Sequence, residues 1–216
     1  MKQFAVIGLG NFGFNLGVSL AKKGHEVLVI DSDSERVEEI KDFVTSAIVY
    51  DVRTGVFLNE YIKPDIDAVI LNLGETIEAN SLAIYHLKEI GVKNIIVKSV
   101  SDLQSKIYQK IGATHIINPE QLAGENLAEQ LSSPSLIDYI PLAPEYGIFE
   151  IAVPDKFLGK SIKEIDFRKK YRIEIIAIKN VLKDEIDFMP DPGKKIEPDS
   201  ILLFICKKDD FSKLGF

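Results

Sequence analysis

The 216-residue chain is poor in the residues that serve redox, metal and disulfide chemistry, with one cysteine and three histidines. A lone Cys206 excludes an internal disulfide and any cysteine-rich zinc site; within Leu202-Leu203-Phe204-Ile205-Cys206 it reads as a small core residue. His25, His86 and His115 fall in separate segments without metal-ligand spacing. No run of about 18 apolar residues is free of charge, so no segment is expected to span a membrane. Met1-Lys2-Gln3 leads straight into an apolar run rather than a signal peptide, and a cytosolic chain is expected. An excess of basic residues is also lacking. The net charge is −7, whereas binding to a nucleic-acid backbone rests on clustered Lys and Arg, so no nucleic-acid partner is expected. The densest basic cluster is Arg168-Lys169-Lys170-Tyr171-Arg172, which reads first as a solvated helix face.

What the chain does have is a 46% hydrophobic composition, enough for real cores, and a stretch near its start around which the rest is organised. Phe4-Ala5-Val6-Ile7 is a short apolar run of the kind buried on both faces of a parallel sheet. It breaks into Gly8, Gly10 and Gly13 at G-x-G-x-x-G spacing, with Asn11 and Phe12 between them, and then becomes helical. Gly8 permits the tight turn, Gly10 lets backbone approach a pyrophosphate, and Gly13 lets the helix pack closely on the strand. A phosphate would sit on the first free N–H groups of the helix, where the macrodipole is positive. Val27-Leu28-Val29-Ile30-Asp31 is a second strand, and it ends in an acid where a ribose-binding carboxylate belongs. Asp31 also reads as a helix N-cap, with Ser32, Asp33 and Ser34 as rivals.

Strand-like and helix-like stretches then alternate. Strands are expected at 46–50, 68–73, 94–98 and 115–117, with helices around 35–43, 55–62, 77–89, 102–111 and 121–131. Six strands with helical crossovers imply a parallel, doubly covered α/β sheet, a Rossmann domain over residues 1–134. Ligands of such sheets bind outside the carboxyl ends of the strands, at the point where strand order reverses. The candidates at those ends are Asp51, Gly74 in Asn72-Leu73-Gly74, Lys98, and Glu120 just past strand six. Asp51 has the alternative of capping a helix, and Lys98 that of a solvated edge residue. Residues 135–216 read as a small α+β lobe, with strands at 149–153, 174–179 and 201–206 and a helix near 162–170. Ser132 to Tyr146, with Pro134, Pro141 and Pro144, reads as the linker.

A dehydrogenase is the rival plan for a Rossmann domain with a second lobe, yet catalytic groups are scarce. No tyrosine has a lysine four residues later, and His115 begins a strand and so lies away from the carboxyl edge. The later lobe has no histidine. A non-enzymatic nucleotide-binding protein is expected, with an NAD(P)-dependent oxidoreductase as the alternative.

Taken together, several segments resemble one family. Lys2 to Gly10, Gly24 to Leu28, Asn94 to Lys98, Ile111 to Glu120, and Arg168-Lys169-Lys170-Tyr171 followed by Ile175 to Lys179 are similar to the regulatory subunits of bacterial Ktr/Trk potassium-uptake systems. That family has the RCK fold, a TrkA-type nucleotide-binding half and a TrkA-type carboxy-terminal half. The resemblance implies a cytoplasmic homodimer that assembles into an octameric ring beneath a membrane potassium channel or transporter, peripheral to the inner face of the membrane. It implies ATP or ADP as regulatory ligands, with NAD(H) or AMP as alternatives. Gly8, Gly10, Gly13 and Asp31 match the family's nucleotide positions, and Asp51 and Lys98 match less diagnostic ones. Glu120 matches an acid that helps hold Mg²⁺ or Ca²⁺ between facing nucleotides, a role suited to a hard oxygen ligand. Some relatives bind cyclic di-AMP in the later half, for which Arg168 is the candidate. One position departs: family members commonly carry arginine where this chain has Asn11, and an amide cannot make that charge-assisted phosphate contact.

Overall fold

A computed structural model describes residues 1–54, 58–74, 76–132, 135–143 and 145–214. The expected helix start at Gly55 and the linker prolines Pro134 and Pro144 lie outside the described residues. By compactness the chain divides into two units, Met1–Gln121 and Leu122–Phe216.

The first unit carries β1 (Gln3–Ile7), α1 (Asn11–Lys22), β2 (Glu26–Asp31), α2 (Ser34–Ile40), β3 (Ser46–Val49), α3 (Leu58–Tyr61), β4 (Ala68–Leu71), α4 (Ile77–Ile90), β5 (Ile95–Lys98), α5 (Asp102–Ile111) and β6 (His115–Ile117). Single 3₁₀ turns follow α2 and β3. The strands form one sheet in the order β3-β2-β1-β4-β5-β6, every pair parallel. The period-two pleat sends alternate side chains to opposite faces. Ala5 and Ile7 of β1 therefore join Val69, Leu71, Ile84 and Leu87 on one side. Val6 joins Val27, Val29, Val37 and Ile40 on the other. Helices cover both faces, which is why the strands are apolar throughout rather than alternating.

Strand order reverses between β1 and β4, and the register brings three strand ends level: Ile7 pairs with both Ile30 and Leu71. The next residues, Gly8, Asp31 and Asn72, therefore meet at one edge. Gly8 N–H donates to the Ile30 carbonyl and Asn72 N–H to that of Ile7, each at 2.8 Å.

The first three residues of helix α6 (Pro119–Ser132) belong to the first unit and the rest to the second. The second unit then holds β7 (Leu136–Pro141), β8 (Tyr146–Ala152), α7 (Ile162–Ile165), α8 (Phe167–Tyr171), β9 (Glu174–Asn180), β10 (Glu185–Phe188), β11 (Ser200–Lys207) and α9 (Lys208–Phe211). Its sheet runs β10-β9-β11-β8-β7, all antiparallel. Phe149 is the centre of its core, fully buried and stacked on Phe204 and Phe211 with ring centroids 5.8 and 4.5 Å away.

Two expectations need correction here. Part of the supposed linker, Leu136–Pro141, is a strand with Leu136 and Tyr139 buried. A register shift between Leu136 and Asp138 breaks the period-two alternation by which a strand is recognised. The single helix expected at 162–170 is two, because Asp166 adopts a left-handed conformation (φ 55°) between α7 and α8.

Candidate functional site

The levelled ends of β1, β2 and β4 open onto a cleft of about 950 Å³, the size range of small-molecule sites. Gly8, Gly10, Asp31, Gly74, Lys98 and Glu120 line it, as do Ser32, Arg36, Asn72, Leu73, Val100, Asn118 and Gln121. A smaller recess of about 260 Å³ shares Asp31, Ser32 and Leu73 and adds Tyr50, Asp51, Val52, Arg53, Thr76 and Ala79.

The glycine turn is sterically dictated at two positions. Gly8 has φ +95°, and a Cβ there would lie 2.1 Å from the Asn72 carbonyl oxygen. A Cβ on Gly13 would lie 2.0 Å from the Gly8 carbonyl oxygen, so α1 approaches the turn only because residue 13 has no side chain. Gly10 is the N-cap of α1 and has no side chain to cap it; the first turn carries no acid. The first helical bond runs from Phe14 N–H to the Gly10 carbonyl, which leaves the preceding N–H groups available to an anion, reinforced by the helix dipole.

Asp31 is not the cap of α2. Asp33 is, accepting the Glu35 N–H at 2.9 Å. One Asp31 oxygen accepts the Leu9 N–H and the other the Asp33 N–H, so the carboxylate ties the end of β2 to the glycine turn. Each oxygen keeps a lone pair, which suits ribose hydroxyls. Asn72 braces the turn from β4, its Nδ2 donating to the Gly8 carbonyl at 3.2 Å. Arg36 reaches the rim and pairs with Asp33 at 3.4 Å.

Lys98, at the end of β5, donates to Glu120 at the start of α6. The Lys98 ammonium holds the Glu120 carboxyl below the usual carboxylate range. In the smaller recess Arg53 makes a forked contact on Asp51 and holds that carboxyl low as well. The described residues contain no group of three His, Cys, Asp or Glu side chains placed to share a metal ion. A cation at Glu120 would have to displace Lys98 and draw its other ligands from outside this set.

Of the residues picked out from sequence, six line the main cleft and Asp51 the recess beside it. Asn11 is exposed at the first position of α1. Phe12 is half-buried and packs with the apolar cluster beneath α1 and α2. Gly13 acts through the close approach already described. Arg36, Asn118 and Gln121 are additions as cleft residues. Arg36 sits five residues past Asp31 and reads in sequence as helix surface; Asn118 reads as a cap, and it does accept the Gln121 N–H at 3.1 Å.

A separate groove in the second unit is lined by Ile162, Lys163, Asp166, Arg168, Lys169, Glu174 and Met189, among others. Arg168 forms a two-pronged ion pair with Glu174.

Comparison with known proteins adds an independent line. The TrkA-N domain family model matches residues 4–119 and the TrkA-C domain model residues 147–215. Ktr system potassium uptake protein C of Bacillus subtilis (strain 168) is 34% identical over 212 residues, 98% of this chain and 95% of that protein. Ktr system potassium uptake protein A of Vibrio alginolyticus is 32% identical over 208 residues, 96% and 94% of the two chains. Among solved structures, the GsuK RCK domain superposes with a TM-score of 0.64 at 17% identity, covering 99% of this chain and 46% of that one. The GsuK channel bound to NAD superposes with a TM-score of 0.66 at 15% identity, covering 99% and 38%. The chain thus spans less than half the length of those structural neighbours, and at such identities they speak for the fold alone. With both domain models in sequence and two relatives above 30% identity over nearly their whole length, the chain belongs to the Ktr/Trk potassium-uptake family, as a TrkA-N domain followed by a TrkA-C domain.

Proposed function

We propose that the chain is a non-enzymatic regulatory subunit whose cleft binds an adenine nucleotide, and that nucleotide exchange alters potassium passage through a membrane-embedded partner. The observation that carries this reading is the convergence at one sheet edge of the glycine turn, the uncapped start of α1 and the Asp31 carboxylate. Phosphates go to the free N–H groups and ribose to Asp31. The adenine goes to the recess beside Val52 and Ala79, with Asp51 at its edge. Two further facts support the regulatory part: relatives of nearly equal length are potassium uptake proteins, and a channel with this fold carries NAD.

ATP or ADP is the first expectation, with NAD(H) or AMP as alternatives. The charged residues lining the main cleft, Asp31, Arg36, Lys98 and Glu120, cancel, and Asn11 adds no cation. A triphosphate therefore finds little uncommitted positive charge, so ATP is expected to be poorly distinguished from ADP. Mg²⁺ or Ca²⁺, if held, takes Glu120 as one ligand once Lys98 is released, and phosphate oxygens as others. Cyclic di-AMP, if bound in the second unit's groove, takes Arg168 in competition with Glu174, an exposed pair that costs little to open. The working assembly in this reading is a homodimer built into an octameric ring, on the cytoplasmic face of the membrane. No described helix is long and apolar enough to cross a membrane.

Calorimetric titration of ATP, ADP, AMP and NAD⁺ into the wild type, Asp31→Ala and Asn11→Arg tests the site. Asp31→Ala is expected to weaken binding of the preferred nucleotide about tenfold or more. Asn11→Arg is expected to create a preference for ATP over ADP. Equal strong ATP preference in wild type and Asn11→Arg contradicts the specificity argument, and turnover of NAD(P)H with an acceptor contradicts the non-enzymatic reading.

A further inference from the structure

Asn80, at the fourth position of α4, is fully buried. Its Nδ2 donates to the Gly74 carbonyl at 3.4 Å and to the Tyr108 phenol oxygen at 3.3 Å. Its Oδ1 has no hydrogen-bond partner among the described residues. Tyr108 on α5 is fully buried as well, and burial pushes its phenol pKa up while the Asn80 bond opposes the shift. Around them lie Ala83, Ile84, Leu87 and Ile95 of the core. A carboxamide with an unmet acceptor in such surroundings costs stability, and apolar side chains of similar size would serve the core better.

What the pair does touch is the cleft. Gly74 follows β4 at the switch point, lines the cleft, and has φ +79° with nothing within 4 Å of the position a Cβ would take. Packing on that side does not fix the turn. The start of the loop is held by Asn72, whose N–H donates to the Ile7 carbonyl and whose Nδ2 donates to the Gly8 carbonyl, and by Leu73 packed on the core; at Gly74 the fastening is the Asn80 amide on its carbonyl.

We infer that Asn80, backed by Tyr108, is a positioning residue for the nucleotide cleft, holding the Gly74 turn in its binding conformation at the expense of core stability. This rests on the nucleotide-binding reading above, but part of its test does not. The double variant Asn80→Leu/Tyr108→Phe removes every side-chain polar group of the pair, keeping the branched heavy-atom skeleton at position 80 and the ring at position 108. Its thermal midpoint is expected to equal or exceed that of the wild type, while amide hydrogen exchange in the nucleotide-free protein rises about tenfold at residues 72–74 and 76–78. Its Kd for ADP, or for whichever of ATP, AMP and NAD⁺ the wild type binds best, is expected to weaken about tenfold. Should the double variant fail to fold, Tyr108→Phe alone is expected to give smaller changes of the same kind, about threefold. Unchanged local exchange overturns the inference, whether or not nucleotide binds. Unchanged Kd with raised exchange also overturns it, since the turn would then not matter to the ligand. A wild type that binds no adenine nucleotide, yet whose variant shows raised local exchange, overturns the functional reading and the cleft role together, leaving only a loop anchor.

Discussion

Cys206, in β11, has a buried thiol. Burial, and secondarily Asp210, push its pKa from 9.0 to about 12, so at neutral pH it is a protonated, inaccessible thiol with no nucleophilic role. A maleimide reagent is expected to leave the native protein unlabelled and to label it fully once denatured. Labelling of the native chain would contradict this burial. The linkage has a definite sign: the folded state favours the protonated thiol, so this contribution to stability is full below pH 9 and is lost as pH rises toward 12. Asp31 illustrates what the sequence left open at this scale. Spacing alone allowed either a ribose acid or a helix cap. The structure gives the cap to Asp33 and ties Asp31 to the Leu9 N–H. Arg36 was illegible as a cleft residue, because a basic side chain in the first turn of a polar helix looks the same whether it faces ligand or solvent.

Between residues and domains, the elements with a clean period were legible and those without were not. The central strands of the first unit, β1, β2, β4 and β5, are largely buried and bounded by turns, so their apolar runs stood out. In the second unit β10 has the polar edge sequence Glu185-Ile186-Asp187-Phe188, and β7 carries a register shift; both passed as loop. The Asp166 break between α7 and α8 was hidden because an aspartate tolerates the left-handed conformation that usually signals itself with glycine. The core of this unit makes a specific claim. Phe149→Ala removes one ring of the mutually packed trio Phe149, Phe204 and Phe211 and is expected to cost about 3–5 kcal/mol. Denaturant unfolding should show that loss, while ADP binding by the first unit persists within a factor of about two. A stability change under about 1 kcal/mol would contradict the assigned core.

On the scale of the whole molecule, two units of different sheet type share one chain, and both match domain models of one potassium-uptake family. The segments that carry the family resemblance lie in both units, some at the carboxyl ends of strands (Gly8 to Gly10, Lys98, Asn118 to Glu120) and some elsewhere (Gly24 to Leu28, Arg168 to Tyr171). The resemblance did not reveal how the charges pair: Lys98 with Glu120, Asp51 with Arg53, and Arg168 with Glu174 are all long-range or turn-level contacts that linear order conceals. The Lys98–Glu120 pairing lowers the free positive charge in the main cleft, and it makes nucleotide identity the central question. A regulator of this kind works by differential affinity between assembly states, so tight binding alone would not suffice. The most direct measurement is mass spectrometry of whatever nucleotide is released on denaturing the purified protein, with the native mass recorded on the same sample. An adenine nucleotide near one per chain on an even-numbered assembly is expected. A monomer that releases none, and takes up neither ATP, ADP, AMP nor NAD⁺ when they are added, would contradict it.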